Sequence, residues 1–249
     1  MSQKKGQMFM STDDSSSSSS IMDAGELSML QLSDSFFPTG MYSMSNGLEA
    51  IFYSRKKMKA DELRELIATL IQYQIGPADC TALGNAYEQA AKFNLPELLE
   101  VDRAIFSMKL VQEIRDASIR SGTQLVRCIR SFSDNRILCQ YEDAIRSGRA
   151  FGPYPVALAV AANTFLIPKR KAALIMLYSF SVSIVGAALR LGMLQHFVGQ
   201  KVIDQLKPPI LKVIKENIDR PLEGMWQFAP SIDIIQISHE RMNSKMFIT

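Results

Sequence analysis

The chain has 249 residues, with 28 Lys and Arg against 25 Asp and Glu, for a formal net charge of +3. That surplus is too small and too scattered to indicate nucleic-acid binding, which needs basic residues gathered on one face. Three cysteines, Cys80, Cys128 and Cys139, an odd count without C-x-x-C spacing, make a poor disulfide framework and fit a reducing cytosol.

Residues 1–24 read as a disordered tail. Lys4 and Lys5 lead into polar sequence rather than an apolar run, so this is no secretory signal. The run Ser15 to Ser20 buries too little apolar surface to offset the entropy of ordering it. Residues 25–229 then read as one helical domain, followed by a distinct C-terminal tail over 230–249.

Within that domain Leu63, Leu66, Ile67, Leu70, Ile71 and Ile75 recur at three- and four-residue steps, the signature of one apolar helix face. Asp61, Glu62 and Glu65 occupy its first turn, where the helix dipole favours anions. Gly76-Pro77 is expected to stop this helix and start the next, over 78–93. Further helices are expected from Pro96, over 113–132 and over 136–146, and after Pro153, Pro168 and Pro208. Strand-like alternation is rare, and no repeat period is evident. The fold class is therefore all-α: a single compact domain of about eight to ten helices.

Residues 172–189 form an 18-residue stretch without a charge, long enough to suggest a membrane span. Ser179, Ser181 and Ser183 interrupt it and Arg190 ends it, so a buried core helix is the favoured reading. A small integral membrane protein built around residues 154–194 is the first alternative.

No Walker A sequence and no glycine-rich dinucleotide fingerprint is present. The two histidines, His196 and His239, offer no metal-ligand spacing, so no cofactor is expected. Ser43-Met44-Ser45-Asn46-Gly47 lacks the first glycine of a nucleophile elbow. A serine hydrolase using Ser45, with Asp233 and His239 completing a triad, is a second alternative.

Two segments break the helical rhythm. Residues 32–49 (LSDSFFPTGMYSMSNGLE) combine aromatic residues, a proline and two turn sites, Thr39-Gly40 and Asn46-Gly47. They are either an ordinary helix connection or a shaped binding loop. Residues 229–249 (APSIDIIQISHERMNSKMFIT) are too apolar to be left in water. They either pack on their own domain or are ordered by a partner.

These segments resemble the urease accessory protein F (UreF) family. Phe37, Pro38, Gly40, Tyr42, Ser45, Gly47, Leu48 and Glu49 fill its N-terminal pattern. Pro230, Asp233, Ile234, His239, Glu240, Phe247 and Thr249 match or nearly match its C-terminal pattern. Glu113, Arg115, Ser118 and Gly122 resemble a middle helix of the family, and Arg190 with Gly199-Gln200 resembles another segment. The resemblance runs collinearly over residues 27–249. Departures are Met44, Pro153, Ala159 and Lys245, where the family often has His, His, Gly and Arg.

The resemblance implies a cytoplasmic helical homodimer that scaffolds urease maturation. It would bind UreD (also called UreH) and recruit the GTPase UreG, which delivers nickel to apo-urease. Neither a nucleic-acid nor a membrane partner is implied, nickel would only transit the complex, and the chain would not be an enzyme. The partner-binding set implied is Phe37, Pro38, Gly40, Tyr42, Ser45, Gly47, Glu49, Arg115, Arg190, Gln200, Asp233, His239, Glu240, Lys245 and Phe247. Within it, Tyr42 and Glu49 would form part of the UreG-recruiting surface, with Lys245 fixing the loop from the tail side. Asp233, His239 and Glu240 would help dock the tail. A structural role remains open for Gly40, Gly47, Gly122 and Arg190.

Overall fold

A computed structural model describes residues 14–55 and 58–249. Of the expected disordered tail, residues 1–13 lie outside the described residues, and the first helix begins at Asp14. Lys56 and Lys57, of the basic cluster before the third helix, lie outside them too.

Eleven α-helices and no strands are found among the described residues. They are α1 (Asp14–Ser33), α2 (Leu48–Arg55), α3 (Ala60–Leu70), α4 (Thr81–Ala91), α5 (Leu95–Met108), α6 (Gln112–Arg130), α7 (Arg136–Arg146), α8 (Tyr154–Thr164), α9 (Lys169–Arg190), α10 (His196–Asn217) and α11 (Pro230–Glu240). Because α3 and α4 are parts of one continuous rod, the count of helical bodies is ten, as the periodicity implies.

That continuity corrects the stop expected at Gly76-Pro77. The backbone passes through a π-helical stretch, Ile71–Cys80, with Pro77 inside it. Proline has no N–H to give to a helix ladder. Around that gap the incoming chain supplies donors: the Tyr73 carbonyl accepts the Phe228 N–H at 2.8 Å, and the Pro77 carbonyl accepts the Trp226 N–H at 3.3 Å. The chain before α11 thus pairs with backbone carbonyls of the π stretch.

Pro208 also departs from expectation: with Pro209 it lies inside α10 instead of starting a helix. An interior proline costs about 3 kcal/mol. Val202, Leu206, Ile210 and Val213 are all buried along one side of α10, and that burial holds the helix through the proline pair.

At the centre lies α8, whose residues from Tyr154 to Ala162 are all buried. It packs against α4, α6, α7 and α9. Helix α6 comes so close to the start of α8 that a Cβ on Gly122 would sit 2.1 Å from the Gly152 carbonyl oxygen. Gly122 therefore has a packing role. A buried Asp102 carboxylate on α5 joins three elements, accepting from the Tyr141 hydroxyl on α7 (2.6 Å), the Phe151 N–H (2.8 Å) and the Gly152 N–H (3.0 Å).

The charge-free stretch is the body of α9, the one helix among the described residues long and apolar enough to cross a membrane, and 67% of that window is buried inside the domain. Two of its three serines fit a core because they bond their own helix: Ser181 donates to the Leu177 carbonyl at 2.7 Å and Ser183 to that of Phe180 at 2.8 Å. Helix α9 packs on α10, α1 and α8 and ends at Arg190, beside the loop 41–49.

Candidate functional site where loop 41–49 meets the C-terminal tail

The two irregular segments are one structure. After a 3₁₀ turn at Met41–Ser43, the chain turns into α2 through Asn46 and Gly47, both at positive φ (53° and 88°). Gly47 is further constrained, since a Cβ there would lie 3.1 Å from Cγ of Gln236 on α11. The last residues of the chain run along this loop. Ile248 N–H donates to the Ser43 carbonyl (2.8 Å), Ser45 N–H to the Thr249 carbonyl (2.8 Å), and Asn46 N–H to Thr249 Oγ1 (3.2 Å). The Ser45 hydroxyl also donates to the Thr249 carbonyl, while its oxygen accepts the Glu49 N–H at 3.3 Å.

Helix α11 faces the domain with Ile232, Gln236 and His239, at steps of four and three, the spacing of one helix face. Gln74 of the π stretch donates to Asp233 Oδ1 at 2.9 Å and lies 3.3 Å from Gln236 Oε1. Burial of the Asp233 carboxyl outweighs the Gln74 bond and raises its pKa.

Glu49, in the first turn of α2, is fully buried. Its Oε1 accepts the Met246 N–H at 2.8 Å, its Oε2 accepts the Phe247 N–H at 3.0 Å, and Oε2 also lies 3.0 Å from His239 Nε2. Burial alone would raise the pKa of this carboxyl, but the His239 contact and the two N–H groups together hold it below its ordinary value. His239, likewise fully buried, places its other ring nitrogen 2.7 Å from Glu113 Oε2 on α6. Glu113 Oε1 accepts from Lys245 Nζ at 2.8 Å, and Lys245 also donates to the Glu240 carbonyl at 3.0 Å. Four side chains thus tie α2, α11, the last residues and α6 together.

At the outer edge, the Arg190 guanidinium is stacked between two rings, 3.9 Å from the Tyr42 centroid and 4.4 Å from that of Phe247. It donates to the Gly186 carbonyl at 3.1 Å and to the Tyr42 carbonyl. Burial lowers its pKa. Tyr42 is 61% exposed and Phe247 only 3%. An aromatic–guanidinium–aromatic stack therefore shows its Tyr42 face to the outside and anchors its Phe247 face in the core.

Of the residues singled out from sequence, Tyr42, Ser45, Gly47, Glu49, Arg190, Asp233, His239, Glu240, Lys245 and Phe247 come together here. Phe37 is buried in the approach to the loop, while Pro38 and Gly40 are exposed on it. Two residues lie apart. Arg115 turns to the end of α5, over the Phe106 ring (5.2 Å) and onto the Lys109 carbonyl (3.3 Å), and Gln200 is exposed on α10.

Two assignments are corrected. Glu49 is no surface residue: a buried carboxylate is tolerated because three partners meet it, and they leave nothing to offer outward. Lys245 braces α6 and not the loop. The serine-hydrolase alternative also fails on geometry. The buried Ser45 hydroxyl is spent on a carbonyl, the His239 nitrogens face Glu49 and Glu113, and Asp233 faces Gln74. Gln74, Gln236 and Thr249 carry part of the junction without having been marked as site residues. The one available signal was that a buried Glu and His each demand partners.

Fold and junction define a class: an all-helical domain that folds its own C-terminus into a composite loop–tail face. The UreF family model matches residues 58–207. Urease accessory protein UreF of Trichodesmium erythraeum is 31% identical over 223 residues, 89% of this chain and 96% of that one. Urease accessory protein UreF 1 of Brucella melitensis is 31% identical over 224 residues, 90% of this chain and 92% of that one. Urease accessory protein UreF of Bacillus sp. strain TB-90 is 26% identical over 223 residues, 90% and 98% of the two chains. The chain belongs to the UreF family of urease accessory proteins.

Proposed function

We propose that this protein is a non-enzymatic scaffold of urease maturation. It binds UreD/UreH and recruits and regulates the GTPase UreG, so that nickel reaches apo-urease. It acts in the cytoplasm as a homodimer, and nickel is cargo of the assembled complex. The observation that carries this reading is the joining of loop 41–49 to the tail by Glu49, which couples a buried C-terminus to an outward stack of Tyr42 on Arg190. Such a face suits recognition, because exposed aromatic and arginine groups supply most of the energy at protein interfaces. The exposed apolar residues of α11, Ile234 (64%) and Ile237 (37%), extend it as a surface for UreD/UreH.

The test is co-elution on a sizing column with the cognate UreD/UreH and UreG, comparing the full chain with one ending at Pro230. A complex formed by the full chain and lost on truncation supports the scaffold reading. No complex with either form removes it.

A further inference from the structure

Beneath the loop–tail junction lies a cavity of about 60 Å³, walled by Met44 and Asn46 of the loop, Asp79 of the π stretch, Lys109, Ser121 of α6 and Thr249 of the tail. Most of its remaining lining is apolar. Four of its polar residues, Asn46, Asp79, Lys109 and Ser121, come from four separate segments and have few partners or none within the chain. Asp79 and Lys109 form an ion pair at 2.8 Å, with side chains only 8% and 5% exposed. The Lys109 ammonium carries three N–H donors, and among the described residues its only hydrogen-bond acceptor is the Asp79 carboxylate. Asn46 Nδ2 and Ser121 Oγ are buried with no hydrogen-bond partner at all, although their residues are only 9% and 2% exposed.

A buried ion pair is stable only when its remaining donors and lone pairs are also satisfied. The charges of Asp79 and Lys109 cancel, so the pair offers no surplus charge to an ion. What it lacks is a small neutral group that both donates and accepts. Its volume is several times the 10–15 Å³ or so that one water molecule requires, and a buried water needs two to four polar partners. We infer that the cavity is a built hydration site, in which ordered water bridges the Asp79–Lys109 pair to Ser121 and Asn46. Thr249 of the tail forms one wall, so the junction that pins the tail also builds the hydration site. This assignment does not depend on the scaffold function.

Water-to-amide NOE and ROE spectra of the ¹⁵N-labelled full chain test it. Cross-peaks of opposite sign in the two experiments, the mark of long-lived bound water, are expected at the Asn46 side-chain amide and at the Ser121 backbone N–H. Ser121→Ala retains the Asn46 signal, which rules out relay through the hydroxyl, and Ser121→Val, which fills the space, loses it. Absence of both cross-peaks in the unmodified chain overturns the inference whatever the variants do. So do xenon-induced shifts of the methyl groups of Ile114 and Ala117, two apolar residues of the lining, without water cross-peaks, because only a dry apolar cavity takes up xenon.

Discussion

Glu49 and His239 stand 190 residues apart in the chain and 3.0 Å apart in space, both with no exposed surface. His239 meets a carboxylate at each ring nitrogen, Glu49 at 3.0 Å and Glu113 at 2.7 Å, and Glu113 passes on to Lys245. The junction is thus a chain of four side chains laid from the core outward.

Glu49→Ala leaves the Phe247 N–H and one His239 nitrogen buried without their partner, and the half-buried Met246 N–H without its acceptor. Breaking a buried pair on one side costs about 3–5 kcal/mol. The expected result is a loss of that order in urea unfolding. If the tail lets go first, residues 241–249 lose hydrogen-exchange protection while α8 keeps it.

The same carboxylate sets a pH dependence. Its folded pKa lies below its ordinary 4.5, so its contribution is fully present above about pH 4.5 and is lost as pH falls through the lower folded value. Exchange protection of the Met246 and Phe247 amides is expected to hold at neutral pH and to fall below pH 4.5. In Glu49→Gln this acid-induced step disappears.

Gly122→Ala tests the packing of α6 on the entry to α8. A methyl group 2.1 Å from the Gly152 oxygen cannot be accommodated without backbone movement. Overpacking of this kind costs about 1–3 kcal/mol, read as a lower unfolding midpoint at an unchanged denaturant slope. Gly186→Ala, inside α9, serves as a control for crowding, because nothing lies within 4 Å of its would-be Cβ and its backbone is helical.

Asp102→Ala strips the acceptor from the Tyr141 hydroxyl and from two backbone N–H groups. With each orphaned group costing about 1–3 kcal/mol, a loss of at least about 3 kcal/mol is expected in chemical denaturation.

The helices were legible where their signal is local. The periodic apolar residues of α3 and the bounds of α7 follow from spacing and caps, as with Asn135, whose side chain accepts from the N–H groups of Ile137 and Leu138. Pro77 and Pro208 misled because proline rules are local, whereas the partners that pair with the π stretch, Trp226 and Phe228, and the burial that holds α10 are distant. The site was legible as a set of residues but not as an arrangement. Spacing cannot show that Glu49 and His239 meet, and hence cannot show that Glu49 is a buried fastener while Tyr42 and Arg190 carry the outward face.

The central claim is that this face, assembled by the tail, is what partners recognise. The most direct test is titration of the preformed UreD/UreH–UreG assembly with the full chain and with Arg190→Ala, after exchange protection has shown α8 and α9 intact in both. The full chain is expected to bind. Loss of the stack between Tyr42 and Phe247 is expected to weaken binding at least about tenfold, the effect of one interface anchor worth more than about 1.4 kcal/mol. Equal affinity for the two proteins would contradict the claim.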